Sequence, residues 1–169
     1  MQGNQARSYV LSSGTQAHIQ VYVSGALTGV KGVDEQKRFY QAIANVCLQH
    51  HLTPYLPHEW TDPLSTPHFS PQQVYERNRT EILRSQLVIA YTGLPSLGVG
   101  AEVELANQYK IPVILLCERD RSVSRHIKGI PSVVREVQFS SREEALRDLD
   151  ACLKELIGSL PSQPSVRRV

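Results

Sequence analysis

The segment whose residue types most clearly suit ligand binding and catalysis is Pro95–Glu102, with the sequence P-S-L-G-V-G-A-E. It follows an apolar run and opens a helical pattern. Backbone amides at a helix start attract anions. Gly98 and Gly100 allow a ligand to approach the backbone closely. The G-x-G-x-E pattern lacks the third glycine of the dinucleotide fingerprint, so it does not indicate a nicotinamide cofactor, and we predict no cofactor.

Glu102 is the unusual residue of this segment, because it points the same way as the apolar residues that follow it on the helix. Those residues are Leu105, Ala106 and Tyr109. A carboxylate in the first turn of an inward face is either a partner of the helix dipole or a placed functional group. The helix start is expected to keep it ionised at neutral pH. Glu104 is expected on the opposite, solvated face.

Apolar runs and amphipathic stretches alternate along the chain and predict the elements that position these residues. Strands are predicted at 18–23, 53–56, 87–91, 111–117 and 133–139. Helices are predicted at 34–51, 71–84, 98–109 and after 141, with a short helix from Ser122 and capping boxes at Ser70/Gln73 and Ser141/Glu144. This alternation predicts one doubly wound α/β domain, Rossmann-like or flavodoxin-like, with a five-stranded parallel sheet.

Ligands of such sheets bind beyond the carboxyl ends of the strands, which selects four loops, at 24–29, 57–69, 92–100 and 118–128. The candidate binding residues in these loops are Ser24, Gly25, Ala26, His58, Trp60, Ser96, Gly98, Gly100 and Ser124. Each serine alone is more readily explained as a turn or cap residue. Trp60 or Tyr22 is a candidate for stacking on a ligand ring. The histidine spacing matches no known ligand set, so we predict no metal site.

Composition sets the broad class of protein. The 169 residues carry a net charge of +2, too close to neutral to suggest a nucleic-acid surface. The three cysteines show no zinc or redox spacing and are expected to be buried free thiols. Without an 18-residue apolar run or a signal-peptide pattern, we expect a cytoplasmic protein with no membrane span. Residues 1–17 and 159–169 are expected to be flexible, around a domain at 18–158.

The segment 87–116 resembles the nucleoside 2-deoxyribosyltransferases, and is most similar to the nucleoside 5'-monophosphate N-glycosidases of that superfamily. The P-S-L-G-V-G-x-E string is the specific match, and the first strand with Ser24-Gly25 resembles the family's ligand loop. Ser124 resembles a phosphate-contacting serine, and His58 also has a counterpart. The resemblance implies a nucleoside or nucleotide substrate and a homodimer or larger homo-oligomer in which subunits can share site residues.

The resemblance also implies catalytic roles. Glu102 corresponds to the glutamate that attacks the anomeric carbon, and Tyr22 is a further catalytic candidate. Cleavage of an N-glycosidic bond builds positive charge on that carbon, which a carboxylate stabilises and can trap as an ester. We expect Ser96 and Ser124 to bind a 5'-phosphate, with the Gly25 amide.

Asn78 departs from the family pattern, because the family commonly has an aspartate at this position. Asparagine can hydrogen-bond but cannot donate a proton as an acid would. Two classes of function follow: an N-glycosidase or deoxyribosyltransferase, favoured by Glu102, and a catalytically weak nucleotide-binding module, favoured by Asn78. Ser96 stands where the transferases often have an acidic residue, so we predict hydrolysis rather than transfer.

Overall fold

The central feature of the fold is a five-stranded sheet in which every pair of neighbouring strands is parallel. The computed structural model describes residues 18–29, 31–62 and 64–161. The strands are β1 (Gln20–Ser24), β2 (Thr53–Tyr55), β3 (Leu87–Tyr91), β4 (Val113–Glu118) and β5 (Val133–Phe139). Their order across the sheet is β2-β1-β3-β4-β5, which is the flavodoxin-like order. The predicted fold class is therefore confirmed.

Helices connect the strands and cover both faces of the sheet. They are α1 (Val33–Gln49), α2 (Pro57–Trp60), α3 (Pro71–Arg84), α4 (Leu97–Gln108), α5 (Arg125–Lys128) and α6 (Arg142–Leu156), followed by a 3-10 turn at Ile157–Ser159. Two differences from the sequence-based prediction stand out. The loop predicted at 57–69 contains the short helix α2, and the short helix predicted from Ser122 begins only at Arg125.

Two apolar clusters lie on opposite faces of the sheet, because successive strand residues point to opposite sides. Val21 and Ile89 face the cluster formed with α1 and α6. Tyr22 and Val88 face the cluster formed with α3 and α4. The strand β3 is buried along its whole length, as expected for the central strand of a sheet covered on both sides. This packing fixes the ends of β1 and β3, where the candidate residues lie.

The helix starts follow the sequence signals with one correction. At α3, Ser70 and Gln73 form the predicted reciprocal capping box. At α6, the Ser141 hydroxyl accepts from the Glu144 amide, but the Glu144 carboxylate accepts from the backbone of Ser140 instead of Ser141. The predicted second capping box is therefore wrong in its returning half, because an ion pair to Arg119 draws the Glu144 side chain away from the cap residue.

The remaining compositional predictions concern membrane spans and thiols. Across the part of the chain that the structure describes, no helix is long and apolar enough to cross a membrane. All three cysteines are buried and unpaired, as predicted. The predicted flexible segment 1–17 and most of the predicted tail 159–169 lie outside the described residues.

Candidate active site

The strand order reverses between β1 and β3, and the candidate catalytic residues meet at this point. Tyr22 and Ser24 lie at the carboxyl end of β1, and Glu102 lies in the helix that follows β3. The Tyr22 hydroxyl donates to Oε1 of Glu102 at 2.6 Å, and the Ser24 hydroxyl donates to Oε2 at 2.5 Å. The two oxygens of one carboxylate are thus held separately. In open α/β sheets, ligands bind at such a reversal point.

The electrostatic environment of Glu102 differs from the sequence-based expectation. Burial raises the pKa of Glu102 above its ordinary value, while the hydrogen bonds from Ser24 and Tyr22 lower it and only partly offset burial. Glu102 lies in the second turn of α4, since the first turn contains no acidic residue, so the predicted first-turn position is wrong. Part of the Glu102 side chain remains exposed, in a cavity between α3 and α4.

Tyr22 is placed as a donor to the carboxylate and not as a stacking surface. Its side chain is completely buried, and its ring stacks on Tyr55 at a centroid distance of 5.6 Å. Burial and the adjacent Glu102 raise the pKa of Tyr22 well above its usual value, so the hydroxyl keeps its proton. The base-stacking role considered for Tyr22 does not fit this arrangement, because no ring face is open to a ligand.

The loop after β1 is shaped by packing against Tyr40. Ser24 is fully buried and Ala26 is nearly so, and the carbonyl of Ala26 accepts from the Tyr40 hydroxyl at 3.0 Å. A Cβ atom on Gly25 would overlap the Tyr40 ring. The loop therefore needs glycine at this position for close approach of the chain to Tyr40. In this arrangement, the Ser24 hydroxyl donates to the Glu102 carboxylate, whereas the sequence predicted a ligand contact for Ser24.

Asn78 lies on α3 and lines the same cavity as Glu102. Its side-chain oxygen accepts from the Thr61 hydroxyl at 3.3 Å. The amide NH₂ group, which carries only donors, then faces away from that contact. The side chain can offer a hydrogen bond but not an acidic proton. Glu104, expected on a solvated face, is instead half-buried and lines the same cavity.

His58 and Trp60 both belong to α2, beside the site. Burial lowers the pKa of His58, which favours the neutral imidazole. Trp60 is 48% exposed, is nearly parallel to Tyr55, and has the Arg77 guanidinium 4.5 Å from its ring centroid. Of the two aromatic residues considered for stacking, only Trp60 has exposed ring surface. No group of three or more His, Cys, Asp or Glu side chains within the described ranges is arranged to hold a metal ion.

Ser96 and Ser124 line one cavity of about 620 Å³ between the start of α4 and the loop before α5. Ser96 is the N-cap of α4, and its hydroxyl accepts from the Val99 amide at 3.3 Å, so the structural role of this serine is real. Accepting leaves its own proton free to donate to a ligand. Ser124 precedes α5 and makes no side-chain cap hydrogen bond. The two serines that were predicted to act together therefore share one cavity.

Gly98 and Gly100 lie in the first turn of α4. The two cavities open on opposite sides of this turn. Gly98 lines the cavity that contains Glu102, and Gly100 lines the cavity that contains Ser96. A Cβ atom on either glycine would make only ordinary contacts with protein atoms, at 3.7 Å or beyond. Packing within the chain therefore does not require glycine at these two positions, and the space beside them is open to a ligand.

Several residues near the site were not singled out by the sequence. Arg121 lies in the 118–128 loop and lines the cavity of Ser96. Thr61 orients Asn78, and Lys37 forms an ion pair with the buried Asp62. The strand-end rule selected the loops of Thr61, Asp62 and Arg121, but nothing in the spacing distinguished these residues from ordinary polar loop residues.

Comparison with known proteins gives results consistent with this geometry. No family model matches the chain. The chain is 32% identical over 145 residues to a protein of Methanosarcina mazei provisionally named 2'-deoxynucleoside 5'-phosphate N-hydrolase 1, and the match covers 83% of this chain and 86% of that protein.

Solved structures with the same fold share little sequence identity with the chain. The CMP N-glycosidase of Clostridium botulinum superposes with a TM-score of 0.62 at 19% identity, covering 79% of this chain and 99% of that one. A 2-deoxyribosyltransferase of Bacillus psychrosaccharolyticus superposes with a TM-score of 0.58 at 15% identity, covering 78% and 90%. At these identities, the superpositions establish the fold.

Proposed function

We propose that the chain, which belongs to the 2'-deoxynucleoside 5'-phosphate N-hydrolase family, hydrolyses the N-glycosidic bond of a nucleoside or deoxynucleoside 5'-monophosphate. The products are a free base and a sugar 5-phosphate. Glu102 is the nucleophile in this proposal. The relative's name supports the reaction class, and the arrangement around Glu102 supports the mechanism.

The observation that carries the proposal is the pair of hydrogen bonds to the two oxygens of Glu102. A carboxylate that served only the helix dipole would gain nothing from being buried against two strand-end hydroxyls. Each carboxylate oxygen accepts one hydrogen bond and keeps a further lone pair. The side chain is thus fixed in orientation while an oxygen remains available to attack.

The reaction proceeds in two displacements. An oxygen of Glu102 forms a bond to the anomeric carbon as the bond from that carbon to the base nitrogen breaks, and the base leaves with the bonding electron pair. The ionised carboxylate stabilises the positive charge that develops on the sugar. Water then attacks the anomeric carbon of the ester, which releases Glu102 and the sugar 5-phosphate.

Asn78 assists the first displacement as a hydrogen-bond donor. With its oxygen engaged by Thr61, the NH₂ group can donate to an acceptor atom of the base or the sugar. A side-chain amide is not an acid and cannot transfer a proton to the base. The departing base therefore takes its proton from water. Because Asn78 donates only a hydrogen bond, we expect nucleotides whose bases leave without strong acid assistance to be the better substrates.

The phosphate is bound in the cavity of Ser96 and Ser124. Ser96 contributes a hydroxyl at the positive end of the α4 dipole, and Ser124 contributes one from the facing loop. Gly98 and Gly100 leave the first turn of α4 uncovered between this cavity and Glu102. Trp60, beside the site, is the candidate for contact with the base.

The first experiment measures free base by chromatography after incubation with each common ribo- and deoxyribonucleoside monophosphate. Wild type is compared with Glu102→Ala and with Glu143→Ala. Glu143 is the control for loss of a helical glutamate, because it lies exposed in the first turn of α6, away from the site. Deleting a covalent nucleophile is expected to reduce turnover by several orders of magnitude, whereas Glu143→Ala retains activity.

Glu104→Ala separates the attack by one carboxylate from the general charge of the cavity. Glu104 is two residues away, and its carboxylate accepts from Asn107 instead of from Tyr22 and Ser24. We expect Glu104→Ala to reduce turnover far less than Glu102→Ala. Wild-type turnover in Glu102→Ala, or loss of activity in Glu104→Ala alone, rules out the assigned nucleophile.

The second candidate function is a nucleotide-binding module with weak catalysis, which the asparagine at position 78 favours. The same substrate panel decides between them: tight binding of a monophosphate without release of base supports the module. Transfer of the sugar to a second base, tested by adding a free base to the reaction, identifies a transferase.

A further inference from the structure

Arg121 is the one charged side chain among the described residues that line the cavity of Ser96 and Ser124. About half of its side chain is exposed. The same cavity is bordered by the start of α4, where backbone amides point outward. The 24–29 loop on the other side of the site contains no lysine or arginine. Among the residues that line this cavity, Arg121 is therefore the one that offers a full positive charge to a negatively charged ligand group.

The guanidinium of Arg121 is tied to the ends of two strands. Nη1 donates to the carbonyl oxygen of Gly93 at 2.8 Å, and Nε lies 3.7 Å from Oε2 of Glu118. Glu118 is fixed in turn, because its Oε1 accepts from the Tyr91 hydroxyl at 2.6 Å. A Cβ atom on Gly93 would overlap Glu118, so glycine is needed for this arrangement.

These contacts leave part of the guanidinium free. Arginine has five N–H donors in a rigid fork that suits phosphate oxygens. The contacts to Gly93 and Glu118 engage Nη1 and Nε, and no partner within the described ranges takes Nη2. Glu118 does not itself line the cavity. The fork is thus anchored from behind while its remaining donors can serve a ligand.

We propose that Arg121 binds the 5'-phosphate of the substrate and makes the site select nucleotides over nucleosides. This inference rests on the proposed function, and it adds the cation that the two serines alone do not supply. A phosphate monoester carries close to two negative charges at neutral pH. Hydroxyls and amides at α4 can orient such a group, and Arg121 neutralises part of its charge. Glu118 is a positioning residue, since it acts on the phosphate only through Arg121.

The test compares Arg121→Met with Arg125→Met. Methionine keeps much of the length of the side chain but removes the charge, and Arg125 is an exposed arginine outside the cavity lining. Arg121→Met is expected to raise the KM for a monophosphate substrate about ten- to hundred-fold, with kcat and the KM for the matching nucleoside little changed. Arg125→Met should match wild type in all three quantities.

A second measurement is independent of turnover. Binding of inorganic phosphate to the full chain is followed by ³¹P NMR for wild type and both variants, and weaker binding in Arg121→Met alone is expected. Absence of base release by wild type, with this binding difference intact, overturns the proposed function but not the anion site. Equal KM values and equal phosphate affinities in Arg121→Met and wild type overturn the role of Arg121.

Discussion

Substituting Tyr22 by phenylalanine isolates the hydrogen bond to Glu102. The change removes one buried oxygen and leaves the ring stacked on Tyr55. Hydrogen bonds to charged groups contribute about 1.5–3 kcal/mol, so losing this one reduces the ratio of ionised to protonated Glu102 roughly ten- to hundred-fold. Water cannot easily replace the donor, because the Tyr22 side chain is completely buried.

The expected result is a change in the pH profile of kcat/KM for base release. Activity requires ionised Glu102 and falls as pH decreases through its raised pKa. Tyr22→Phe raises that pKa further, so its acidic limb moves to higher pH. Tyr55→Phe is the matched control, since it removes a hydroxyl from the neighbouring ring that contacts Arg77 and not Glu102. An unchanged limb in Tyr22→Phe, or an equal shift in Tyr55→Phe, refutes the reasoning.

Two further predictions concern Glu102 and Asn78. Burial raises the pKa of Glu102, so the folded protein binds this proton more tightly than the unfolded chain and loses stability as pH rises through the raised pKa. Glu102→Gln should therefore be inactive but thermally more stable than wild type at neutral pH. The difference in thermal stability between the two proteins should shrink on acidification. A variant that is less stable than wild type at neutral pH contradicts this. Asn78→Asp supplies an acid to the leaving base and should increase turnover up to about 100-fold. The increase should be largest at acidic pH, where the aspartate is protonated. Unchanged rates would mean that departure of the base does not limit the reaction.

The fold could be predicted because its signals are local. Continuous apolar runs such as β3 and the capping residues of α3 lie within a few residues of the structure they specify. The short helix α2 was missed because four residues give no periodicity to detect, and its proline and histidine also suit a loop. The orientation of Glu102 toward the interior followed from helical spacing alone.

The contacts of the site could be predicted only in part, because they join distant segments. Glu102 is 78 residues from Ser24 and 80 from Tyr22, so spacing placed both at the right sheet edge without pairing them. Burial raises the pKa of Glu102, and the sequence could not predict this effect because desolvation depends on the packed surroundings. Arg121 was overlooked because an arginine in a polar loop is ordinary until Gly93 and Glu118 are seen to hold it.

The stereochemistry of substitution at the anomeric carbon tests the central claim most directly. With methanol present as a competing acceptor, the methyl glycoside formed from a β-nucleoside monophosphate can be identified by ¹H NMR. Two successive displacements through Glu102 predict the β product, with configuration retained. The α product would show a single direct attack and would contradict the assignment of Glu102 as the nucleophile.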